Sequence, residues 1–351
     1  MAVLRVAVPD AIERLGQYSA ILDARSESEY ADDHLPGARN WPSLTDAERA
    51  AIGTDYTQAS PFEARKRGAV LTSRNIARHL EREAMDLPRA WRPLVYCWRG
   101  GQRSGALATV LGAIGFDVQV LEGGYREFRR AVIADLDSLP ARFQFRVLCG
   151  RTGSGKSRLL GALTDAGAQV LDLEALAKHR GSVLGPLPGQ PQPTQKAFET
   201  AVWHALRRLD PARPVWAESE SRTIGRLRVP ETLLQGLRAS PCVAIEMPLA
   251  ARVELLLQDY GHFVQDAEDF CARLEALREL RGAACIERWQ ASARSGDFAG
   301  VVRELLAQHY DPTYERSMAR NYAGFADADP LALADGEPWS LALACRHLLT
   351  Q

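Results

Sequence analysis

Apolar and polar positions along this chain are arranged in blocks. In the first 140 residues, short apolar runs end at an acid, a cysteine or a glycine pair: residues 18–23 (YSAILD), 93–97 (PLVYC) and 116–121 (FDVQVL). Runs of that length without polar alternation suit strands buried on both faces of a parallel sheet. Residues 102–115 have the length and small apolar face of a helix. Strands alternating with helices predict a parallel sheet wrapped on both sides. Residues 41–74 hold Pro42, Gly53, Pro61 and the basic run Arg65-Lys66-Arg67, and read as an insertion or long loop.

The pattern breaks at residues 137–142 (DSLPAR) and restarts with an apolar strand at 143–149, a glycine-rich turn and a helix at 156–166. Further strands are predicted at 169–173, 214–217 and 241–246. From about 250 onward, apolar residues fall three and four apart (RVELLLQDY, RLEALREL), which predicts helices. Between these elements, residues 185–193 (GPLPGQPQP) are too rich in proline and glycine for a regular element and read as a mobile loop beside a site. The expected organisation is an α/β domain over 1–137, a linker over 138–143 and a second α/β domain over 144–351 with a helical C-terminal part.

Composition narrows the function classes. The 351 residues are 46% hydrophobic and 25% charged, which excludes a disordered or fibrous chain. Lys plus Arg is 43 against 44 Asp plus Glu, so a uniformly basic nucleic-acid coat is excluded and a local patch is not. The opening MAVLRVAVPD lacks the apolar core of a signal peptide, and the weakly polar run 105–116 is too short for a bilayer. A cytoplasmic protein without membrane attachment is expected. Six cysteines, at 97, 149, 242, 271, 285 and 345, form no close pair, so neither a zinc knuckle nor a disulfide framework is expected.

Cys97 stands apart from the other five. It follows an apolar strand and opens the loop CWRGGQRS ahead of a helix. Amides of such a loop, the helix N-terminus and the charges of Arg99 and Arg103 give the electropositive surroundings that a nucleophilic sulfur needs. The flanking text, Asp23-Ala-Arg25, Glu29-Tyr30, residues 34–38 (HLPGA), Asn40, Pro42 and residues 121–125 (LEGGY), resembles the rhodanese family over about 10–135. The resemblance implies a rhodanese-like parallel-sheet domain with Cys97 as the residue that carries a persulfide or related chalcogen adduct. One departure is the C-x5-R-S spacing from Cys97 to Ser104, a residue longer than the usual rhodanese loop. It also resembles cysteine phosphatases and would suit a tetrahedral, phosphate-bearing donor.

Residues 150–157 (GRTGSGKS) fit G-x-x-x-x-G-K-S between a strand and a helix, the context a P-loop requires. The second domain is therefore expected to be P-loop NTPase-like. Gly150, Gly153, Ser154, Gly155 and Lys156 would surround a di- or triphosphate, and Ser157 would bind Mg²⁺ where a metal is used. No Asn-Lys-x-Asp segment reads guanine. Candidate acids for Mg²⁺ or water are Asp172 and Glu174 after one strand, and Glu218 and Glu220 after another. Glu218 is preferred, and a capping or ion-pair role for it stays open. Two basic clusters, Arg65-Lys66-Arg67 with Arg74, Arg78 and Arg82, and Arg222, Arg226, Arg228 and Arg238, are candidate RNA contacts. Trp98, Trp41 and Trp216 are candidates for stacking on an unpaired base.

Taken together, YCWRGGQRS (96–104), CGRTGSGKS (149–157), LEALAKHRGSVLG (173–185), WAESESRTIG (216–225) and YDPTY (310–314) resemble the tRNA 2-selenouridine synthase family across most of the chain. The resemblance implies a transferase that S-geranylates a wobble 2-thiouridine from geranyl diphosphate, then replaces sulfur with selenium from selenophosphate. It implies these two co-substrates and no tightly bound cofactor. The implied partners are the tRNA anticodon region and a selenophosphate-producing enzyme, and a monomer is the expected state. Two rival readings are a cysteine phosphatase fused to a small-molecule kinase and a non-catalytic P-loop switch.

Overall fold

The computed structural model describes residues 3–58, 60–182, 185, 186 and 188–350. The chain folds into two compact units, Met1–Leu136 with Pro193–His204, and Asp137–Gln192 with Ala205–Gln351.

The first unit is built on five parallel strands, β1 (Leu4–Val6), β2 (Ala20–Asp23), β3 (Ala38–Asn40), β4 (Pro93–Tyr96) and β5 (Gln119–Leu121), in the spatial order β1-β5-β4-β2-β3. Every residue of β4 and β5 is buried, as expected for strands covered on both faces. Leu22, Val95, Leu107, Leu111 and Val120 share one core with Trp41 and Trp91. Each fully buried side chain of this kind stabilises the fold by roughly 1.5–3 kcal/mol. The helix expected at 102–115 spans Gln102–Ile114 and ends at Gly115 in the left-handed region (φ 111°).

Residues 41–74, expected as an insertion or long loop, are not a loop: they hold most of two helices, Asp46–Gln58 and Pro61–His79. Ser60 caps the second by accepting from the Phe62 amide, and Pro61 occupies its first turn. The first helix buries no residue, and the second buries only Ala64, Asn75 and Ile76. Neither shows the apolar stripe by which a helix is recognised in sequence.

Residues 193–204, which the expected division placed in the second domain, group with the first unit. Helix Gln195–Arg207 buries Phe198, Val202 and Trp203. Trp203 sits edge-on to Phe128, and its indole N–H donates to Asp135 at 2.7 Å. Thr200 donates to the buried Asp33 carboxylate at 2.9 Å, and Lys196 pairs with Asp32 at 2.5 Å. The expected linker holds a short 3-10 turn, Leu139–Arg142.

The second unit carries another all-parallel sheet. Its strands are β6 (Phe145–Gly150), β7 (Gln169–Leu171) and β8 (Val215–Glu218), followed after a small ribbon, β9 (Thr223–Ile224) with β10 (Leu227–Arg228), by β11 (Pro241–Glu246) and β12 (Gly324–Ala332). The order is β12-β11-β6-β8-β7. Strand β12 is a further element within the mainly helical stretch after 250. It reads poorly as a strand because Leu331 is its only buried residue, and its Pro330 is tolerated on a sheet edge. Helix Pro338–Leu349 covers the sheet with Leu341, Ala344, Cys345 and Leu348. A second cluster, including Phe270, Leu274, Trp289, Phe298 and Leu305, holds the helices between 267 and 305 together. Of the loop expected at 185–193, Leu187 lies outside the described residues, and Pro186 makes an isolated bridge with His179. Among the described residues no helix is long and apolar enough to cross a membrane.

Candidate active sites

In the first unit, Cys97 lies just past β4 and is buried, with its sulfur accepting from the Ser104 hydroxyl at 3.2 Å. The loop curls because glycine permits it: Gly100 has φ 64°, and a Cβ there would stand 2.5 Å from the Leu121 carbonyl oxygen. Gly124, at φ 60°, lies so close beneath that its Cβ would collide with the Cys97 carbonyl. The Tyr125 and Arg126 amides donate to the Cys97 and Trp98 carbonyls at 2.8 and 3.0 Å, fastening the loop to the LEGGY segment.

Of the two arginines expected beside the sulfur, Arg99 is exposed, and Arg103 donates to Glu29 at 2.7 Å. Burial would raise the Glu29 carboxyl, but the Arg103 hydrogen bond and charge outweigh it and hold Glu29 below the usual carboxylate range. Arg103 is therefore an ion-paired wall of the loop. Trp98 remains partly exposed and leans on Tyr125, with ring centroids 5.5 Å apart. Trp41 and Trp216 are both 2% exposed, which removes them as stacking platforms. In the basic clusters, Lys66 pairs with Glu63, Arg67 with Asp55 and Arg222 with Glu231.

The residues that carried the rhodanese resemblance act as braces. Asp23 and Arg25 form a buried pair at 2.6 Å, and the guanidinium lies 3.9 Å from the centroid of the Tyr125 ring. Asn40 donates to the Asp23 and Arg25 carbonyls at 3.1 and 2.9 Å. Tyr125 donates to Asp33 at 2.8 Å, so that carboxylate joins the loop's support to Thr200.

In the second unit, β6 runs into the P-loop and helix Lys156–Asp165 leaves it. Gly153 and Gly155 have φ of 78° and 80°, and a Cβ on Gly153 would stand 2.8 Å from Leu256 Cγ. Lys156 Nζ donates to the Gly150 carbonyl at 2.7 Å, and the Gly150 amide donates to Tyr314 Oη at 2.5 Å. Arg252 is 2% exposed, gives the Thr152 carbonyl two hydrogen bonds (2.9 and 2.8 Å) and pairs with Asp311 through both oxygens (2.9 and 2.6 Å). Sequence reasoning missed Arg252 and Tyr322, and it met Asp311 only inside YDPTY, without a role. The available signal was an arginine on the apolar stripe RVELLL.

The P-loop borders a cavity of about 590 Å³ that also receives Asp172, Glu174, Glu218, Glu220 and Tyr322. One oxygen from each of Glu174, Glu218 and Glu220 falls within 4.8 Å of the others. Ser157 Oγ lies 3.3 Å from Glu174 and 3.4 Å from Glu218, while the other Glu218 oxygen is buried without a partner. Burial, then the charges of Glu174, Glu220 and Asp172, push Glu218 well above the carboxylate range, and burial with Glu174 does the same to Glu220. Burial raises Glu174 to about 7, against the pull of Lys156. Three crowded carboxylates and a serine hydroxyl form an oxygen set that fits a hard divalent cation. Asp172 plays another part: it caps helix Leu173–Ala177 by accepting from the Ala175 amide at 2.8 Å.

The comparisons with known proteins address both units. The rhodanese-like domain family matches residues 8–131, and the tRNA 2-selenouridine synthase AAA domain family matches 143–280. A tRNA 2-selenouridine synthase of Nitrosomonas europaea is 36% identical over 68% of this chain, an alignment that takes in 63% of that relative's length. Those of Alcanivorax borkumensis and Bdellovibrio bacteriovorus are 31% and 35% identical over 86% and 90% of this chain, and over 90% and 93% of their own. Relatives of that one name thus run through the Cys97 loop, the P-loop and the helical end alike, and the chain belongs to the tRNA 2-selenouridine synthase family.

Proposed function

We propose that this chain converts a wobble 2-thiouridine of tRNA to 2-selenouridine by S-geranylation from geranyl diphosphate, followed by selenation from selenophosphate. The observation that carries the reading is family membership across both units, since each unit holds a site suited to one of the two steps. In the first step, the thiouridine sulfur attacks C1 of the geranyl group. The C1–O bond breaks, its electron pair leaves with pyrophosphate, and the N3 proton is lost to solvent. Lys156 and the P-loop amides stabilise the charge that develops on the departing diphosphate.

In the second step, selenium adds to C2 of the S-geranyl base and geranylthiolate leaves; hydrolysis of the phosphorus–selenium bond then releases phosphate. Selenium in selenophosphate is already at the selenide level, so this route needs no oxidant. The Cys97 loop, with Gly100 and Gly101 ahead of a helix N-terminus, receives the tetrahedral donor. Ser157, Glu174, Glu218 and Glu220 would hold Mg²⁺, which supplies further neutralisation of the diphosphate when bound.

Mass spectrometry of nucleosides from thiolated tRNA, with each donor added singly and together, tests the reading. Geranyl diphosphate alone gives the S-geranyl nucleoside, and both donors give 2-selenouridine. No change under any combination defeats it. A second expectation concerns the carboxylates. Mg²⁺ at about 100 times its dissociation constant raises stability by about 2.7 kcal/mol. The gain is larger at pH 8 than at pH 6, because below about 7 a proton on Glu174 competes with the metal. Thermal melts of Glu218→Gln lose most of the gain; an unaltered gain would place the metal elsewhere.

A further inference from the structure

Beside the P-loop cavity lies a second, apolar one. Phe270, Phe298, Val302 and Leu305 line it together with Leu256 and Val264. The two cavities share a seam at Thr152, Leu256, Tyr260 and Tyr310. Leu256 belongs to both and packs against Gly153 of the P-loop. A phosphate cradle continuous with an apolar hole suits a ligand whose charged head carries a hydrocarbon tail.

We infer that the apolar cavity takes the hydrocarbon tail of an allylic diphosphate whose head sits in the P-loop, and that Val302 and Val264 set how much tail is sheltered. The inference rests on the proposed geranylation and deepens it by locating the tail. The cavity itself is about 40 Å³, smaller than a ten-carbon chain. The tail therefore enters by turning aside Val264, which is 46% exposed, and its far end lies along the open mouth. Each methylene sheltered is worth roughly fourfold in affinity, so four or five sheltered carbons give about 100-fold or more.

Calorimetric titration of the full chain with pyrophosphate, dimethylallyl diphosphate and geranyl diphosphate tests this. Geranyl diphosphate should bind at least about 100-fold more tightly than pyrophosphate, and dimethylallyl diphosphate, whose five carbons match the sheltered part of the tail, should share most of that gain. Val302→Trp, which fills the cavity, should cut the geranyl advantage at least about tenfold and leave pyrophosphate affinity within about twofold. Val264→Asp, at an exposed position that folding does not depend on, should do the same by charging the mouth. If Val302→Trp loses pyrophosphate binding as well, it has failed to fold and Val264→Asp decides. Equal affinity for all three ligands in the wild type, or a geranyl advantage untouched by Val264→Asp, overturns the tail site while leaving the P-loop assignment standing. Failure of the wild type to bind pyrophosphate and geranyl diphosphate alike defeats the geranylation reading beneath it.

Discussion

Lys156→Ala is expected to lower the geranylation rate about 10²–10³-fold, the usual cost of removing one donor aimed at developing charge. Lys156 Nζ rests on the Gly150 carbonyl and lies 5.7 Å from the centroid of the Tyr314 ring, so little reorganisation is needed to turn it toward a phosphate. The loop itself survives the change. Its shape depends on Gly153, Gly155 and the Arg252 hold on Thr152, none of which uses the lysine side chain. The defect should therefore appear in kcat with thiolated tRNA and geranyl diphosphate, while selenation of tRNA already carrying the S-geranyl group stays within about twofold of wild type. Lys156→Arg should recover part of the rate, because the charge returns in a bulkier form. A Lys156→Ala protein that geranylates normally would show that the diphosphate leaves from somewhere other than the P-loop.

Legibility in the sequence followed how local each feature is. The P-loop could be read because strand, glycine turn and helix are consecutive, and the Cys97 loop for the same reason. The carboxylate set was half readable. Glu218 ends β8, Glu220 follows two residues on, and both point to chemistry, but only the crossover of a parallel sheet brings Glu174 to them. The Arg252–Asp311 pair could not be found locally, since the two are 59 residues apart and Arg252 reaches Thr152, 100 residues away, only in the fold. Exposed helices such as Asp46–Gln58 bury nothing and so write no stripe into the sequence. Tryptophans 41 and 216 stay open between stacking and core in the sequence because text does not separate a core indole from a surface one. The return of residues 193–204 to the first unit depends on Thr200 and Trp203 meeting Asp33 and Asp135, and polar pairs across such distances leave no periodic signal.

Cys97→Ser is expected to leave geranylation within about twofold of wild type and to reduce selenation about 100-fold or more, a size typical for loss of a group that contacts the reacting atoms. The substitution is nearly isosteric, and Ser104 can still donate to an oxygen where it now donates to sulfur at 3.2 Å. The loop's fastenings are backbone contacts, from the Tyr125 and Arg126 amides and the close approach of Gly124, and none passes through the thiol. A selective loss of selenation therefore reports on the sulfur itself. The form of the selenium can be read in the same assay. A sulfur–selenium bond on Cys97 would require a two-electron oxidant to form and a reductant to release selenium at the selenide level. Transfer direct from selenophosphate requires neither, and wild-type selenation should run at the same rate without added thiol. Thiol dependence would instead place selenium on the cysteine as an oxidised adduct. If Cys97→Ser slows both steps equally, the cysteine supports the fold and the selenium site lies elsewhere.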